Sequence, residues 1–219
     1  ERSTSIHLHA GGAFAKGMEV ARQTFFKGGG TEEDARQAGM AALHNFYGDD
    51  YAEVWAGEGK NREAMKGALS SYLNNWQLAS DYLEPFESPN MGVEFDFAIP
   101  LPIHHPTTGE FIIYKGRIDW LARNKHDGTV WVVDDKTTNQ LGNSWHKQWT
   151  LDSQPTGYVW AARQFGMPVA GVILRGTSIL KRGYGHEECL QPRTKFQIED
   201  WYAQLQQDVH GMIDTWKAF

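Results

Sequence analysis

The stretch "GRIDWLARNKHDGTVWVVDDKTTNQ", Gly116 to Gln140, decides how the chain reads. Two apolar runs, "RIDWLA" and "TVWVV", flank "NKHDGT", whose Asn, Asp and Gly are the residue types a hairpin connection demands. Side chains alternate faces along a strand, so Asp134 and Lys136 point one way and Asp135 the other. With an even number of loop residues, Asp119 lies opposite either Asp134 or Lys136, and a G1 bulge in an odd loop restores the same parity. Either register puts Asp119, Asp134 and Lys136 on one face. Two carboxylates facing each other between apolar strands are partly desolvated and repel, which is costly unless a cation lies between them or one takes up a proton. Mg²⁺ and Mn²⁺, hard ions that take oxygen ligands and keep several waters, suit such a pair. The spacing serves equally well a salt bridge in which Lys136 neutralises both aspartates at the strand ends.

Outward from the hairpin the periodicity changes. Before Gly92 it is helical. Phe14, Met18, Ala21 and Phe25 recur in "GGAFAKGMEVARQTFF". Thr31 stands as an N-cap before the acids of "TEEDARQAGMAALHNFY", and Met65, Leu69, Tyr72 and Trp76 form a stripe in "NREAMKGALSSYLNNW". From Gly92, "GVEFDFAIPLPI", "EFIIYKGRIDWLAR" and "TVWVVDDKT" read as three strands. "LDSQPTGYVWAARQFG" is a helix with Ser153 as candidate cap and Pro155 in the first turn, where a helix tolerates proline. "PVAGVILRGT" is a buried strand, the stretch around Gly183 and Gly185 has no clear period, and "EDWYAQLQQDVHGMIDTWKAF" is an amphipathic helix with Trp201, Leu205, Val209, Met212 and Trp216 on one side. No repeat, low-complexity tract or linker divides the chain. Residues 1–219 are therefore expected to form a single domain, 1–90 mainly helical and 91–219 holding the sheet, the helix after the hairpin and the C-terminal helix.

A chain of 219 residues, 41% of them apolar, can bury one substantial core. Its longest apolar runs fall far short of the ~20 residues a bilayer span needs, and its N-terminal residues lack the basic-then-apolar pattern of a signal peptide. Cys189 is the one cysteine, which excludes an internal disulfide and any four-cysteine zinc or iron–sulfur site within these residues. A reducing, cytoplasmic setting with no membrane partner is the expectation. The net charge of −6 argues against holding nucleic acid by a bulk positive field. It leaves room for a local basic groove built from Lys60, Arg62 and Lys66, or from Arg175, Lys181, Arg182, Arg193 and Lys195. His7, His9, His104 and His105 have no cysteine or acid at zinc spacing, and no Gly-x-Ser-x-Gly elbow or Gly-Lys-Ser/Thr phosphate loop is present.

Beyond the hairpin, "QPTGY" places Gln154 and Tyr158 on one face of the following helix. "GRID" with Asp119, "VVDDKTT" with Asp134 and Lys136, and "QPTGY" together resemble the PD-(D/E)xK nuclease superfamily, and within it the RecB-like branch that includes the nucleases of CRISPR spacer acquisition and many phage exonucleases. The element order from Glu94 to Arg175 also resembles that family's restriction-endonuclease-like α-β-β-β-α-β core, an α/β fold with a central mixed sheet flanked by helices, here preceded by a helical region.

The resemblance implies a DNA nuclease that hydrolyses phosphodiester bonds with one or two Mg²⁺ or Mn²⁺ ions. Asp119 and Asp134 are then metal ligands, Lys136 is the catalytic lysine, and Gln154 and Tyr158 face the site and the DNA. The branch further implies exonuclease action on DNA ends or single strands, in recombination, repair or replication in a bacterial or phage-infected cell. Glu94, in "GVEFDF", stands where relatives often carry a glutamate on the first core strand; it reads either as an outer metal ligand or as an edge-strand acid.

One stretch departs from the family. "GGAFAKGME" puts Ala15 or Lys16 where a metal-binding histidine is usual, and Glu19, one turn on, is the oxygen ligand that can take over, with His9 and His44 as weaker substitutes. The departure supports an alternative, a catalytically inactive nucleic-acid-binding or scaffold protein of the same fold. Trp145 and Trp149, in "NSWHKQWT", are candidates for stacking on the bases of a single strand.

Overall fold

The computed structural model describes residues 5–87, 92–150 and 152–218. Helix α1 (Ile6–Arg22) runs on into a π-helical turn (Gln23–Lys27), and α2 (Glu32–Tyr47), α3 (Asp49–Val54) and α4 (Arg62–Asn75) complete the N-terminal helical part. Helix α2 starts where the sequence says. The Asp34 amide donates to Thr31 Oγ1 at 3.1 Å and the Thr31 amide donates back to the Asp34 carboxylate at 2.9 Å, a capping box that satisfies two otherwise orphaned donors. Asn61 caps α4 one way only, its side-chain oxygen accepting from the Ala64 amide. Phe14, Met18, Leu43, Met65, Leu69 and Tyr72 then close one core between α1, α2 and α4. Helices α1 and α2 cross so tightly that a Cβ on Gly39 would stand 2.7 Å from the Gly17 carbonyl oxygen, nearer than carbon and oxygen can approach.

Strands β1 (Leu83–Pro85), β2 (Val93–His104), β3 (Phe111–Asn124), β4 (Val130–Thr138), β5 (Val169–Leu180) and β6 (Gly183–Pro192) form one curled sheet. The order is β1-β3-β4-β5-β6, with β2 pairing β3 as well. Strands β1 and β2 thus share one edge of β3, facing residues 122–124 and 111–120 respectively. All pairs are antiparallel except β4 with β5, which are joined by α5 (Asn143–Gln148) and the crossover helix α6 (Ser153–Gln164). Alternation sorts the side chains: Leu121, Val132 and Leu174 pack under α6 and the C-terminal helix α7 (Lys195–Lys217), while Trp120, Val133 and Ile173 meet Phe26 of the π-helical turn on the opposite face. The result is a mixed α/β fold with helices on both faces of the sheet. Among the described residues no helix is long and apolar enough to cross a membrane.

Several local expectations are corrected. The unassigned glycine-rich stretch is strand β6, an edge strand whose mostly half-exposed residues carry no apolar alternation. The "NSWHKQWT" connection contains helix α5, and the cap of α6 is Asp152, whose carboxylate accepts from the Gln154 amide at 2.9 Å; Ser153 instead accepts from Trp201 Nε1 at 2.8 Å. On α7 the inward line runs through Leu205 and Val209 to Ile213, and Met212 and Trp216, expected on the stripe, lie off it and are more than half exposed. The expected division at residue 90 falls within 88–91, outside the described residues.

Candidate active site

Strands β3 and β4 pair Trp120 with Val133 and Leu121 with Val132, the register that sets Asp119 against Asp134. The Asp135 amide donates to Asp119 Oδ2 at 3.2 Å. Lys136 Nζ stands 2.8 Å from Asp134 Oδ2 and donates to Gln154 Oε1 at 2.9 Å; Gln154 Nε2 in turn donates to the Tyr158 hydroxyl at 3.1 Å. Topology explains the meeting. A crossover helix joining parallel strands begins over the carboxyl end of the first, so the first turn of α6 lies above the end of β4, at the kind of crevice where open α/β sheets bind ligands. Asp119, Asp134, Lys136, Gln154 and Tyr158 line an open cleft of about 360 Å³ together with His7, Leu8, Gly11, Gly12 and Ala15 of α1.

The charges in this cleft are held far from their solution behaviour. Burial, then the facing Asp134 carboxylate, raises the Asp119 pKa well above the usual carboxylate range. Burial raises Asp134 too, although Lys136 pulls it back. For Lys136 burial works downward, but Asp134 outweighs it and the ammonium holds its proton more firmly than a free lysine. The Tyr158 phenol is pushed upward by burial and then by Asp134 and Asp119, so it stays a hydroxyl that can donate.

Glu94 lies across β2–β3 from Asp119, between the pairs Val93 with Trp120 and Phe95 with Ile118. Its φ of 53° is a left-handed backbone for a non-glycine residue, a strain of about 1 kcal/mol or more that surrounding structure must impose. Its Oε2 is 2.6 Å from Arg117 Nε, and burial, only partly offset by Arg117, pushes its pKa up to about 7. Glu19 stands close enough to Glu94 to push that pKa further up, but it is engaged by Lys16 at 2.7 Å and Gln23 at 3.4 Å and is not among the residues lining the cleft. At the early-helix position it is Ala15 that faces the cleft, while Lys16 turns to Glu19.

Other residues singled out from the sequence lie elsewhere. Trp145 is 3% exposed and packed beneath the sheet end, so it cannot stack on a base; Trp149 is half-buried, with its ring 5.7 Å from Lys136 Nζ. Arg175 and Arg193 belong to no basic groove. Arg175 is buried against Asp81 and Glu188, and Arg193 donates to Thr156 and to the Trp149 carbonyl. Arg62 pairs with Asp49 and Lys66 with Glu63. The sequence reading missed Arg22, which pairs with Asp135 at 2.7 Å while Tyr72 donates to the same carboxylate at 2.6 Å. A signal was there: Arg22 follows Ala21 directly within the run Phe14, Met18, Ala21, Phe25, an arginine where an apolar stripe passes.

The sequence matches the profile described as "PD-(D/E)XK nuclease superfamily" over residues 23–218, nearly the whole chain. The chain belongs to the PD-(D/E)XK nuclease superfamily. No curated protein matches it. Twelve chains of solved structures do; one, described as "Crystal structure of SSO0001", aligns at 16% identity over 86% of this chain and 72% of its own, with a TM-score of 0.33, too loose a superposition to argue from. Superfamily membership implies a nucleic-acid substrate, and members generally use divalent ions such as Mg²⁺.

The residues present fit such an ion. Asp134 Oδ2 is buried and lies near Lys136 without a hydrogen bond of good geometry, so a cation in the cleft would satisfy it; Glu94 Oε2 is buried in the same way beside Arg117, but Glu94 is not among the residues lining the cleft. Among the described residues no three His, Cys, Asp or Glu side chains form a closed ligand cluster. Two carboxylates without a third suit Mg²⁺, which is usually bound through one or two carboxylates and keeps its other positions for water and phosphate oxygens.

Proposed function

We propose that the protein is a metal-dependent DNA nuclease of the RecB-like branch, hydrolysing phosphodiester bonds at DNA ends or in single strands as an exonuclease, in recombination, repair or replication of a bacterium or its phage. The whole chain acts as one nuclease domain in this reading. The observation that carries it is the convergence of Asp119, Asp134, Lys136, Gln154 and Tyr158 on one cleft from β3, β4 and α6.

Asp119 and Asp134 would hold Mg²⁺ or Mn²⁺, with Glu94 beside them and Glu19 further out. The ion would supply Lewis acidity and a more acidic bound water. Lys136 offers a protonated ammonium, fixed by Asp134 and Gln154, to the charge that builds on a phosphate oxygen as the bond breaks. Gln154 positions that ammonium, and the Tyr158 hydroxyl remains a donor towards a phosphate lying in the cleft.

The test is incubation of end-labelled single- and double-stranded DNA with the purified protein in Mn²⁺, Mg²⁺ or EDTA, beside Lys136→Ala. Metal-dependent cutting that disappears in the variant is the expected result, and the ladder shows whether ends are required. A wild-type protein that cuts none of these substrates would make Ala15, in place of the usual histidine, the reason to regard the protein as a binding or scaffold member of the superfamily.

A further inference from the structure

The middle residue of the "DDK" run has a partner set of its own. Asp135 borders the cleft, but its side chain turns into the seam between the sheet and the N-terminal helices, where it is 1% exposed. Arg22 of α1 reaches its Oδ2 at 2.7 Å, and the Tyr72 hydroxyl of α4 donates to its Oδ1 at 2.6 Å. Arg22 also donates to the Tyr72 hydroxyl at 3.1 Å, and its guanidinium lies over the Trp120 ring at 4.6 Å. All three side chains are thus locked to one another and to β3.

A buried ion pair of this kind is often no more stabilising than apolar side chains of the same volume. Its geometry, however, has a consequence at the cleft. The Asp135 amide, on the backbone these contacts fix, donates to Asp119 Oδ2, and among the described residues it is the one backbone donor to that carboxylate. The same contacts set α1, which carries Ala15 and Gly12 into the cleft about two and three turns before Arg22, at a fixed distance from β4.

We propose that Asp135 is a positioning residue for the metal-binding carboxylates: Arg22 and Tyr72 clamp its side chain so that its amide holds Asp119 in the orientation an ion shared with Asp134 requires. The inference rests on the nuclease reading for its purpose, but the clamp itself can be tested apart from cleavage.

Removing Asp135 alone would strand a buried guanidinium, so the test uses the pair Arg22→Met with Asp135→Ala. It removes both charges together, so that neither is left buried without its partner, and deletes the clamp. Arg22→Met with Asp135→Asn is the conservative partner, since asparagine can still accept from Tyr72. Two readouts are made on folded protein: Mn²⁺ affinity from the Mn²⁺ dependence of the melting temperature, and exchange protection of the residue 135 amide by NMR. The expected order of Mn²⁺ affinity is wild type, then the Asn pair, then the Ala pair, with the last about tenfold weaker and its 135 amide exchanging at least tenfold faster while the Val132 and Val133 amides keep their protection.

A merely structural clamp would lower the melting temperature yet leave both the Mn²⁺ affinity and the 135 amide of the folded variant within about twofold of wild type, and that result overturns the proposal. Should wild type itself show no response to Mn²⁺, the metal reading fails and the amide exchange alone decides the clamp. If the Ala pair does not fold, Tyr72→Phe, which takes one donor from Asp135 and keeps every charge, carries the test, with a two- to threefold loss in Mn²⁺ affinity expected and an unchanged affinity counting against the clamp.

Discussion

Glu94 makes the metal-free protein sensitive to pH in a way that can be worked out from the structure. Burial moves its pKa from an ordinary 4.5 to about 7, a gap of roughly 2.5 pH units, and at about 1.4 kcal/mol per unit the full effect is about 3 kcal/mol. The side chain is 10% exposed, so solvent screening takes little of this. Between 4.5 and about 7 the folded protein binds a proton at Glu94 that the unfolded chain has released. Stability therefore falls with rising pH across that window: the contribution is fully present below 4.5 and gone above about 7. Glu94→Gln keeps the shape and removes the titration, and Arg117, 58% exposed, is solvated when its partner loses its charge.

The assay is urea denaturation of both proteins in EDTA at steps from about pH 4.5 to pH 8.5. Asp119 and Asp134 titrate in both proteins, so the difference between the two curves reports Glu94 together with its electrostatic coupling to Asp119. Wild type should lose about 3 kcal/mol relative to the variant over that range. Two curves that stay parallel within about 0.5 kcal/mol would refute the claim that Glu94 is buried beside Asp119 as described.

Other perturbations test the rest of the molecule. Asp134→Asn should abolish the Mn²⁺-induced rise in melting temperature and lower cleavage by about two orders of magnitude or more, comparable to removing one preorganised electrostatic group; a variant that still responds to Mn²⁺ like wild type would exclude Asp134 as a ligand. Lys60 is 7% exposed, its Nζ reaches only Thr137 at 3.3 Å, and among the described residues no carboxylate lies within 4.0 Å of it. Burial lowers its pKa, so Lys60→Met should stabilise the fold by about 1 kcal/mol at pH 7 in urea denaturation, with the gain shrinking at higher pH as the wild-type lysine sheds its proton; a loss of stability would show that the ammonium is a needed strut. Gly39→Ala should cost about 2 kcal/mol by forcing α1 away from α2, and a neutral result in thermal melts would contradict the tight crossing.

The hairpin was legible because strand periodicity and turn chemistry depend only on local residues. "NKHDGT" fixed the parity, and parity alone brought Asp119, Asp134 and Lys136 to one face. Helical spacing put Gln154 and Tyr158 on one face and the family resemblance turned that face to the site, where Lys136 does donate to the Gln154 amide oxygen. Strand β6 was not legible, since an edge strand with both faces half-wet needs no apolar alternation, and its residues are held by ten consecutive pairings to β5 that no local pattern encodes. The end of α7 misled for another reason: Met212 and Trp216 fit one helical stripe, but the line that meets the core runs through Val209 and Ile213, a choice that spacing alone does not make.

The acids around the cleft show the same division between local and tertiary information. The family resemblance nominated Glu94 and Glu19 alike. Only the fold separates them, by setting Glu94 opposite Asp119 in a left-handed backbone and leaving Glu19 satisfied by Lys16 one helical turn away. Asp135 is the sharper case. Alternation correctly turned its side chain from the cleft, and a residue turned from a site invites the conclusion that it is idle. Its consequence for the site travels through its backbone: the side chain meets Arg22 and Tyr72, 113 and 63 positions earlier in the chain, while its amide reaches Asp119. A motif names the atoms that face the substrate; the contacts that hold those atoms still are made on the other side of the strand, and they can be read only once the helices are in place.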